Sequence, residues 1–414
     1  MKIRGIKMFS KTTFQELSSK YNEPDWLINE RLEAFNLIEK LLLPKMQQFK
    51  YSDWPLTVNN DFALEQSALK ISDNSELEEN KVICQDIFEA SKQYPELVQK
   101  YLNSVSHFNE DKLLAYNTAF MNNGLFLYIP DNVEIQEPIE IELVQNSMSK
   151  SALISHIVIV VGKNSKAKFI QHLSTVGHEK NLANLVVEVQ AVAGSNVEFS
   201  SLDEMEENTT LYFNRRANLA RDAHIEWNVA FMNDCNTVGD LASELLGEGS
   251  YAYSKAIAIT TGNQKVAVNN RVINRGPHST GLINQRGVLL EDSRLIFNGI
   301  GQIVHGAHGS KADQQNRVLM MSDTAQGDAN PLLLIDENDV IAAHAASVGP
   351  VDPIQMNYLM SRGIPYAQAE RMVIHGFLDP VLGAIPKGKV KDRMLAILER
   401  KLINGQRSYY KNKK

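Results

Sequence analysis

Gly162-Lys163-Asn164-Ser165, followed by Ala167-Lys168-Phe169-Ile170, reads as a tight turn running into an alternating strand. The same pattern returns. Gly194-Ser195-Asn196 leads to Val197-Glu198-Phe199, and Arg221-Asp222-Ala223 leads to Ile225-Glu226-Trp227-Asn228-Val229. Glu248-Gly249-Ser250 opens the stretch 252–259, and Glu291-Asp292-Ser293 opens Leu295-Ile296-Phe297. Gly, Asn and Asp suit turn backbones, and period-two alternation sends every second side chain to one face. The first four turns recur at roughly 27 to 32 residues, which suits the coils of a β-solenoid. In that architecture each coil buries its inward side chains against the next. Spacing after Ser250 is irregular, so periodicity alone leaves a β-sandwich as the competing fold.

Outward from this repeat the chain divides into three zones. Between residues 124 and 340 no long helical pattern interrupts short, β-branched segments such as Ile139-Glu140-Ile141-Glu142-Leu143, which argues against βαβ units. The first 125 residues read as helical. Asn22-Glu23-Pro24-Asp25 is a capping sequence with an early proline, and Trp26, Leu27, Leu32, Phe35, Ile38 and Leu42 follow at helical spacing. A second helical stretch spans 77–102. After Val351, Asp352-Pro353 supplies an N-cap and a first-turn proline, and Gly363 a stop. Two more helices follow, over 366–378 with Ala369, Met372, Val373 and Phe377 on one stripe, and over 391–402. These helices would either cap the solenoid's open edge or form a docking platform. The expected units are thus an N-terminal helical domain over 1–125, a β core over 126–348 and a C-terminal helical domain over 349–414.

Composition excludes several classes. A net charge of -7 is wrong for a nucleic-acid binder, which needs clustered Lys and Arg. The start, M-K-I-R-G-I-K-M-F-S-K, lacks the apolar core of a signal peptide, and no apolar run approaches the roughly 20 residues of a membrane span. A cytoplasmic location is expected. Two cysteines, Cys84 and Cys235, exclude a disulfide framework and a four-thiolate metal site. Cys84 reads as a core residue and Cys235, after Asn233-Asp234, as an ordinary exposed thiol in a polar turn. No G-x-x-x-x-G-K-[ST] loop is present, so nucleotide hydrolysis would belong to another chain.

Residues 331–349, P-L-L-L-I-D-E-N-D-V-I-A-A-H-A-A-S-V-G, set one histidine, His344, among alanines and a serine, with no local carboxylate to make it a general base. Small neighbours leave an imidazole free to meet a partner or an ion. His305 and His308 in V-H-G-A-H-G read as turn residues, and His172, His224, His278 and His375 each stand alone with structural readings.

N-E-P-D-W-L-I-N-E-R-L-E-A-F near the start, Q-N-R-V-L-M-M-S-D-T-A-Q-G-D-A-N-P-L-L-L-I-D-E-N-D-V, A-A-H-A-A-S-V-G-P-V-D and L-M-S-R-G-I-P-Y-A-Q-A-E-R-M-V-I-H-G-F-L together resemble the SufB/SufD family of iron–sulfur cluster assembly scaffolds, in its Gram-positive form. The specific run extends from about residue 316 to 378. A missing N-terminal cysteine motif favours the SufD kind over a SufB-like paralogue. The resemblance implies a mostly β fold, a right-handed parallel β-helix flanked by N- and C-terminal helical domains. It implies a non-catalytic scaffold that pairs with SufB through β-helix ends and docks the SufC ATPase on its C-terminal helices, with a cysteine desulfurase system acting indirectly. A homodimer of the isolated chain is also open. No stably bound cofactor is implied, only a transient cluster shared with the partner, for which His344 is the proposed ligand by its H-A-A-S-V-G motif.

Many relatives carry a cysteine two residues before that histidine. Here Ala342 stands instead, leaving His344 as the one borderline ligand. Tyr358, Arg362, Arg371 and Phe377 are the candidate ATPase-docking residues, although the arginines could equally present a solvated face. The alternative class is a β-helix enzyme acting on polysaccharide, which would need converging carboxylates. Glu198 and Glu226 fall at equivalent coil positions but alternate with apolar residues and read as outward.

Overall fold

The computed structural model describes residues 21–57, 68–149 and 151–412, with side chains as far as residue 406. Its centre is a parallel β-solenoid of about eight turns made of two nine-stranded sheets. One sheet contains β1 (Ala68–Ile71), β4 (Ile139–Asn146), β6 (Lys166–Val176), β8 (Asn196–Glu204), β10 (His224–Phe231), β12 (Tyr251–Thr260), β14 (Thr280–Leu289), β16 (Ser310–Met320) and β18 (Val340–Gly349). The other contains β2 (Ile83–Asp86), β3 (Asn123–Ile129), β5 (Leu153–Val161), β7 (Asn181–Ala191), β9 (Thr209–Leu219), β11 (Asn236–Leu245), β13 (Lys265–Asn274), β15 (Arg294–Ile303) and β17 (Gln326–Ile335). Consecutive strands from β3 onward alternate between sheets, so each coil contributes one strand to each.

Parallel, in-register pairing stacks like positions coil upon coil. One inward row runs Ile139, Phe169, Phe199, Trp227, Ser254, Ile283, Gln314, His344. Its aromatic part is a continuous stack, with Phe169 to Phe199 at 6.3 Å and Phe199 to Trp227 at 5.0 Å between ring centroids.

The turns obey a conformational rule. At one corner successive coils up to the turn before β16 place a residue in the left-handed region, among them Asn164 (φ 55°), Gly194 (φ 70°), Asp222 (φ 53°), His278 (φ 54°) and Gly309 (φ 68°). Backbone bonds link them from coil to coil: Asn164 N to Ala193 O, Gly194 N to Arg221 O, and His278 N to His308 O. Asn, Asp and Gly tolerate that backbone, which is why the turn composition was readable. Large and small residues also alternate there. A Cβ on Gly194 would lie 2.5 Å from Asn164 Oδ1, and one on Gly309 2.2 Å from His278 Nδ1. The irregular spacing after Ser250 has a simple cause. The turn at residues 290–293 joins β14 to β15 and so lies at the opposite corner from the first four, which all enter strands of the β6–β8 sheet.

The N-terminal zone is not wholly helical. Helices α1 (Asp25–Leu37), α2 (Ser75–Glu79), α3 (Ile87–Gln93), α4 (Pro95–Tyr101) and α5 (Lys112–Phe120) are joined by β1 and β2, which pair antiparallel with β4 and β3. The expected helix over 77–102 is broken because Ile83 and Cys84 find the unpaired edge of β3, and tertiary pairing overrides local spacing. These strands close the first coil. Pro24 itself occupies the N-cap without a side-chain bond. Glu23 instead pairs with fully buried Arg31, which also donates to Ala119 O and Met121 O. Residues Met46, Phe49, Tyr51 and Leu56 extend the covering along the outer face of the second sheet, against Tyr212, Val238, Ala267 and Ile296.

The C-terminal helices α6 (Pro353–Ser361), α7 (Tyr366–Leu382) and α8 (Lys389–Asn412) begin as expected, with Asp352 Oδ1 accepting from Ile354 N at 2.8 Å. They do not cap the open edge. α7 and α8 lie on the outer face of the first sheet, where Ile374, Leu378, Val381, Met394, Ile397 and Leu398 cover Ile170, Leu202, Ala230, Ile257 and Ile259. Burial on both faces explains continuous apolar runs such as Ala256-Ile257-Ala258-Ile259. The buried stripe of α7 is Ala369, Ile374, Leu378, Val381 and Leu382. Of the expected residues Met372 is exposed and Val373 and Phe377 are only half-buried.

Candidate functional site at the open end of the solenoid

The two ends of the solenoid differ. At the first coil the short antiparallel strands β1 and β2 cover the edges of β4 and β3 and are themselves largely half-buried, whereas no such strand covers β17 and β18 among the described residues. Every side chain from Ile341 to Val348 is exposed, as are Leu334 and Ile335. An uncovered strand edge with apolar residues is a ready template for another chain.

His344 sits in the middle of this edge. Its Cα partner is Gln314, which is 1% exposed and donates Nε2 to Leu332 O at 2.8 Å. Parallel register puts His344 on the same inward side, at the mouth of the lumen, with no further coil above it. Ala342 and Ala346 flank it in that row of positions. No hydrogen bond or ion pair to a described residue holds the ring, so it is free for an external partner. Among the described residues no group of three or more His, Cys, Asp or Glu could hold a metal ion. Any metal species at His344 therefore needs ligands from elsewhere.

Neither thiol reaches this end. Cys84 lies in β2 at the closed end, half-buried, and burial pushes its thiol up to about 11. Cys235 is fully buried between β10 and β11, not exposed as its polar neighbours suggested, and burial pushes it up to about 12. Asn233 is itself buried, and Lys401 Nζ bonds its backbone O at 2.8 Å and Asp234 Oδ1 at 2.5 Å, which ties α8 to the turn that carries the thiol.

The docking candidates separate into two pairs. Tyr358 and Arg362 are exposed and touch each other, the guanidinium lying 5.3 Å from the ring centroid. Ile354, Met360, Tyr366 and Met372 extend that exposed apolar surface. Arg371 and Phe377 are committed within the chain. Arg371 bonds Gln406 Oε1 at 2.8 Å, and Arg286 lies over the Phe377 ring while donating to Phe377 O at 2.6 Å.

Other histidines are less solitary than their spacing suggested. His172 Nε2 is 2.6 Å from Glu204 Oε1, and Arg393 from α8 clasps the same carboxylate at 2.9 Å. His375 meets Glu399 at 2.5 Å, His224 stacks on Tyr251, and His278 packs edge-on against His308. His305 and His308 do lie in the turn before β16. Asp203 and Glu204 end β8. Asp203 points into the lumen, where Arg215 holds it bidentately at 2.9 and 2.7 Å with both side chains fully buried. Glu198 and Glu226 face outward, paired with Lys168 at 3.6 Å and Lys255 at 2.7 Å.

One buried cluster escaped the sequence reading. His156 Nε2 lies 2.7 Å from Glu188 Oε1 and its Nδ1 2.9 Å from Asn117 Oδ1, while Glu188 accepts the backbone N–H groups of Asn103, Val105 and Ser106. It pins the loop after α4 to the solenoid. A lone charge within Leu185-Val186-Val187-Glu188-Val189, opposite a histidine on the neighbouring apolar strand, was the available signal.

Comparison with known proteins agrees with this architecture. Residues 143–377 match the family described as SUF system FeS cluster assembly, SufBD core domain, and residues 69–141 match the SufBD protein N-terminal region. The chain is 38% identical to the iron–sulfur cluster assembly protein SufD of Bacillus subtilis (strain 168), over 94% of this chain and 97% of that protein. It is 22% identical to an iron–sulfur cluster assembly SufBD family protein of Staphylococcus aureus (strain MRSA252), over 92% and 91% of the two chains.

Proposed function

Because this chain belongs to the SufB/SufD family of iron–sulfur cluster assembly proteins, and to its SufD kind, we propose that it is a non-catalytic scaffold subunit whose open solenoid end pairs with a SufB chain. His344 then supplies one ligand to a nascent cluster whose remaining ligands come from the partner. The cluster is cargo, held transiently. Imidazole donates less strongly than thiolate, which suits release, and Ala342 offers no second ligand beside it. The exposed surface around Ile354, Tyr358 and Arg362 docks the SufC ATPase, and the complex works in the cytoplasm. No described helix is long and apolar enough to cross a membrane.

The observation that carries this reading is the unequal covering of the two solenoid ends, with a lone, unbonded imidazole at the uncovered one. Co-purification of the tagged chain from cells tests it. The wild type should retain SufB-like and SufC-like chains, and the double variant Ile341→Lys, Val348→Lys should lose the former and keep the latter. Retention of both by the variant would place the pairing surface elsewhere.

A further inference from the structure

An asparagine ladder crosses the outer face of the second sheet and ends at its open edge. In-register pairing aligns Asp240, Asn269, Asn298 and Asn330 on β11, β13, β15 and β17. The neighbouring Val268 and Phe297 belong to the core, so alternation turns the asparagines outward. Asn298 Nδ2 donates to Asn269 Oδ1 at 2.9 Å, and Asn330 Nδ2 donates to Asn298 Oδ1 at 3.0 Å. Such amide stacks reinforce pairing wherever like strands lie in register.

The ladder has a fixed direction. Asn269 gives its Nδ2 to Lys45 O at 3.3 Å and bonds the Asp240 carboxylate. A carbonyl and a carboxylate only accept, so Asn269 must turn its amide nitrogen to them and leave its oxygen for Asn298. Asn298 is fully buried and follows the same sense. The last oxygen, Asn330 Oδ1, has no partner among the described residues. Donation along the chain polarises each amide in turn, which makes that terminal oxygen a stronger acceptor. The main chain beside it is interrupted. Gln326 N and Asp336 N both bond back across the sheet, to Ser293 O at 3.0 Å and Ile303 O at 2.9 Å, so even-numbered residues of β17 direct their main-chain groups toward β15. Odd-numbered ones face the open edge, where Pro331 has no N–H to give. An incoming strand cannot pair continuously there, and discrimination passes to the side chain of Asn330.

We propose that Asn330 selects the chain that seats on β17 and fixes its register, by accepting a hydrogen bond from an amide, lysine or arginine side chain of the partner strand. This rests on the pairing at the open end described under the proposed function and adds the chemistry that pairing demands. A partner with a carboxylate at that position sets acceptor against acceptor and is rejected.

Two substitutions separate the acceptor from the donor. Asn330→Asp keeps an acceptor at the edge, and Asn330→Lys replaces it with donors. Surface plasmon resonance measures each full-length variant against the immobilised SufB-like chain that co-purifies with the wild type. Asn330→Lys should bind on the order of tenfold more weakly than Asn330→Asp. Equal affinities at any level, or the reverse order, would overturn the donor requirement. A wild type that captures no SufB-like chain would instead strike the pairing itself, and this inference with it. The free chain tests the ladder's direction separately. Asn330→Asp sets a carboxylate against Asn298 Oδ1, so its thermal midpoint should fall below that of the wild type at pH 7. The gap should close as pH drops toward about 4 and the new carboxyl regains a proton to donate. A gap that does not change with pH would show a ladder without fixed direction and remove the premise.

Discussion

His344 lies one coil beyond Gln314 in the same inward row, yet Gln314 is sealed at 1% exposure and His344 is open to solvent. The difference is made by the missing coil, not by local sequence. A position built as core has been left as surface, and whatever seats on β17 and β18 completes it.

The exposed surface of α6 and the start of α7 is the predicted ATPase contact. Replacing Ile354 and Tyr358 by Ala should weaken ATPase binding at least about tenfold, since aromatic anchors dominate such interfaces. The thermal midpoint should stay put because both side chains are largely exposed, at 77% and 59%. Isothermal titration with the purified ATPase reads this. Deleting the helices outright is a poorer test, because it bares the apolar row from Ile170 to Ile259.

Glu188→Gln should destabilise the N-terminal unit by about 3 kcal/mol, since a buried carboxylate with an imidazole and three backbone donors loses its charge. Urea unfolding followed by far-ultraviolet circular dichroism measures it. A midpoint equal to wild type would mean that the loop after α4 is held by packing alone.

How legible were these features? The corner turns were readable because the left-handed backbone admits few residue types, and Asn164, Gly194, Asp222 and Gly249 declare it. His278 occupies the same conformation and broke the pattern, and the 290–293 turn belongs to the other corner. Cys235 and β2 were misread for one reason. Each takes its environment from residues far along the chain: Lys401 from α8, and the edge of β3. The mouth position of His344 was legible only as an isolated histidine among small residues. Its exposure depends on where the solenoid stops and on which face the last helices choose.

Acid should loosen the C-terminal helices first. Burial alone would raise Glu204, but the bonds from His172 and Arg393 outweigh it and hold the carboxyl below its usual range. Asp234 is likewise lowered despite burial, by Lys401 and Arg400. With folded values below unfolded ones, this stabilisation is complete above the unfolded pKa of about 4 and is lost as pH falls through the folded values. Hydrogen exchange should show α8 losing protection as pH falls below about 4, ahead of the solenoid strands. Simultaneous loss would show that these bridges do not govern the attachment.

The most direct measurement concerns the imidazole itself. In a complex reconstituted with its partners and carrying this chain labelled with 15N-histidine, electron spin echo modulation of the reduced cluster should reveal one coupled histidine nitrogen. His344→Ala should abolish that coupling and lower cluster yield while changing the chain's stability by no more than about 0.5 kcal/mol. An identical nitrogen coupling and yield in His344→Ala would contradict the account.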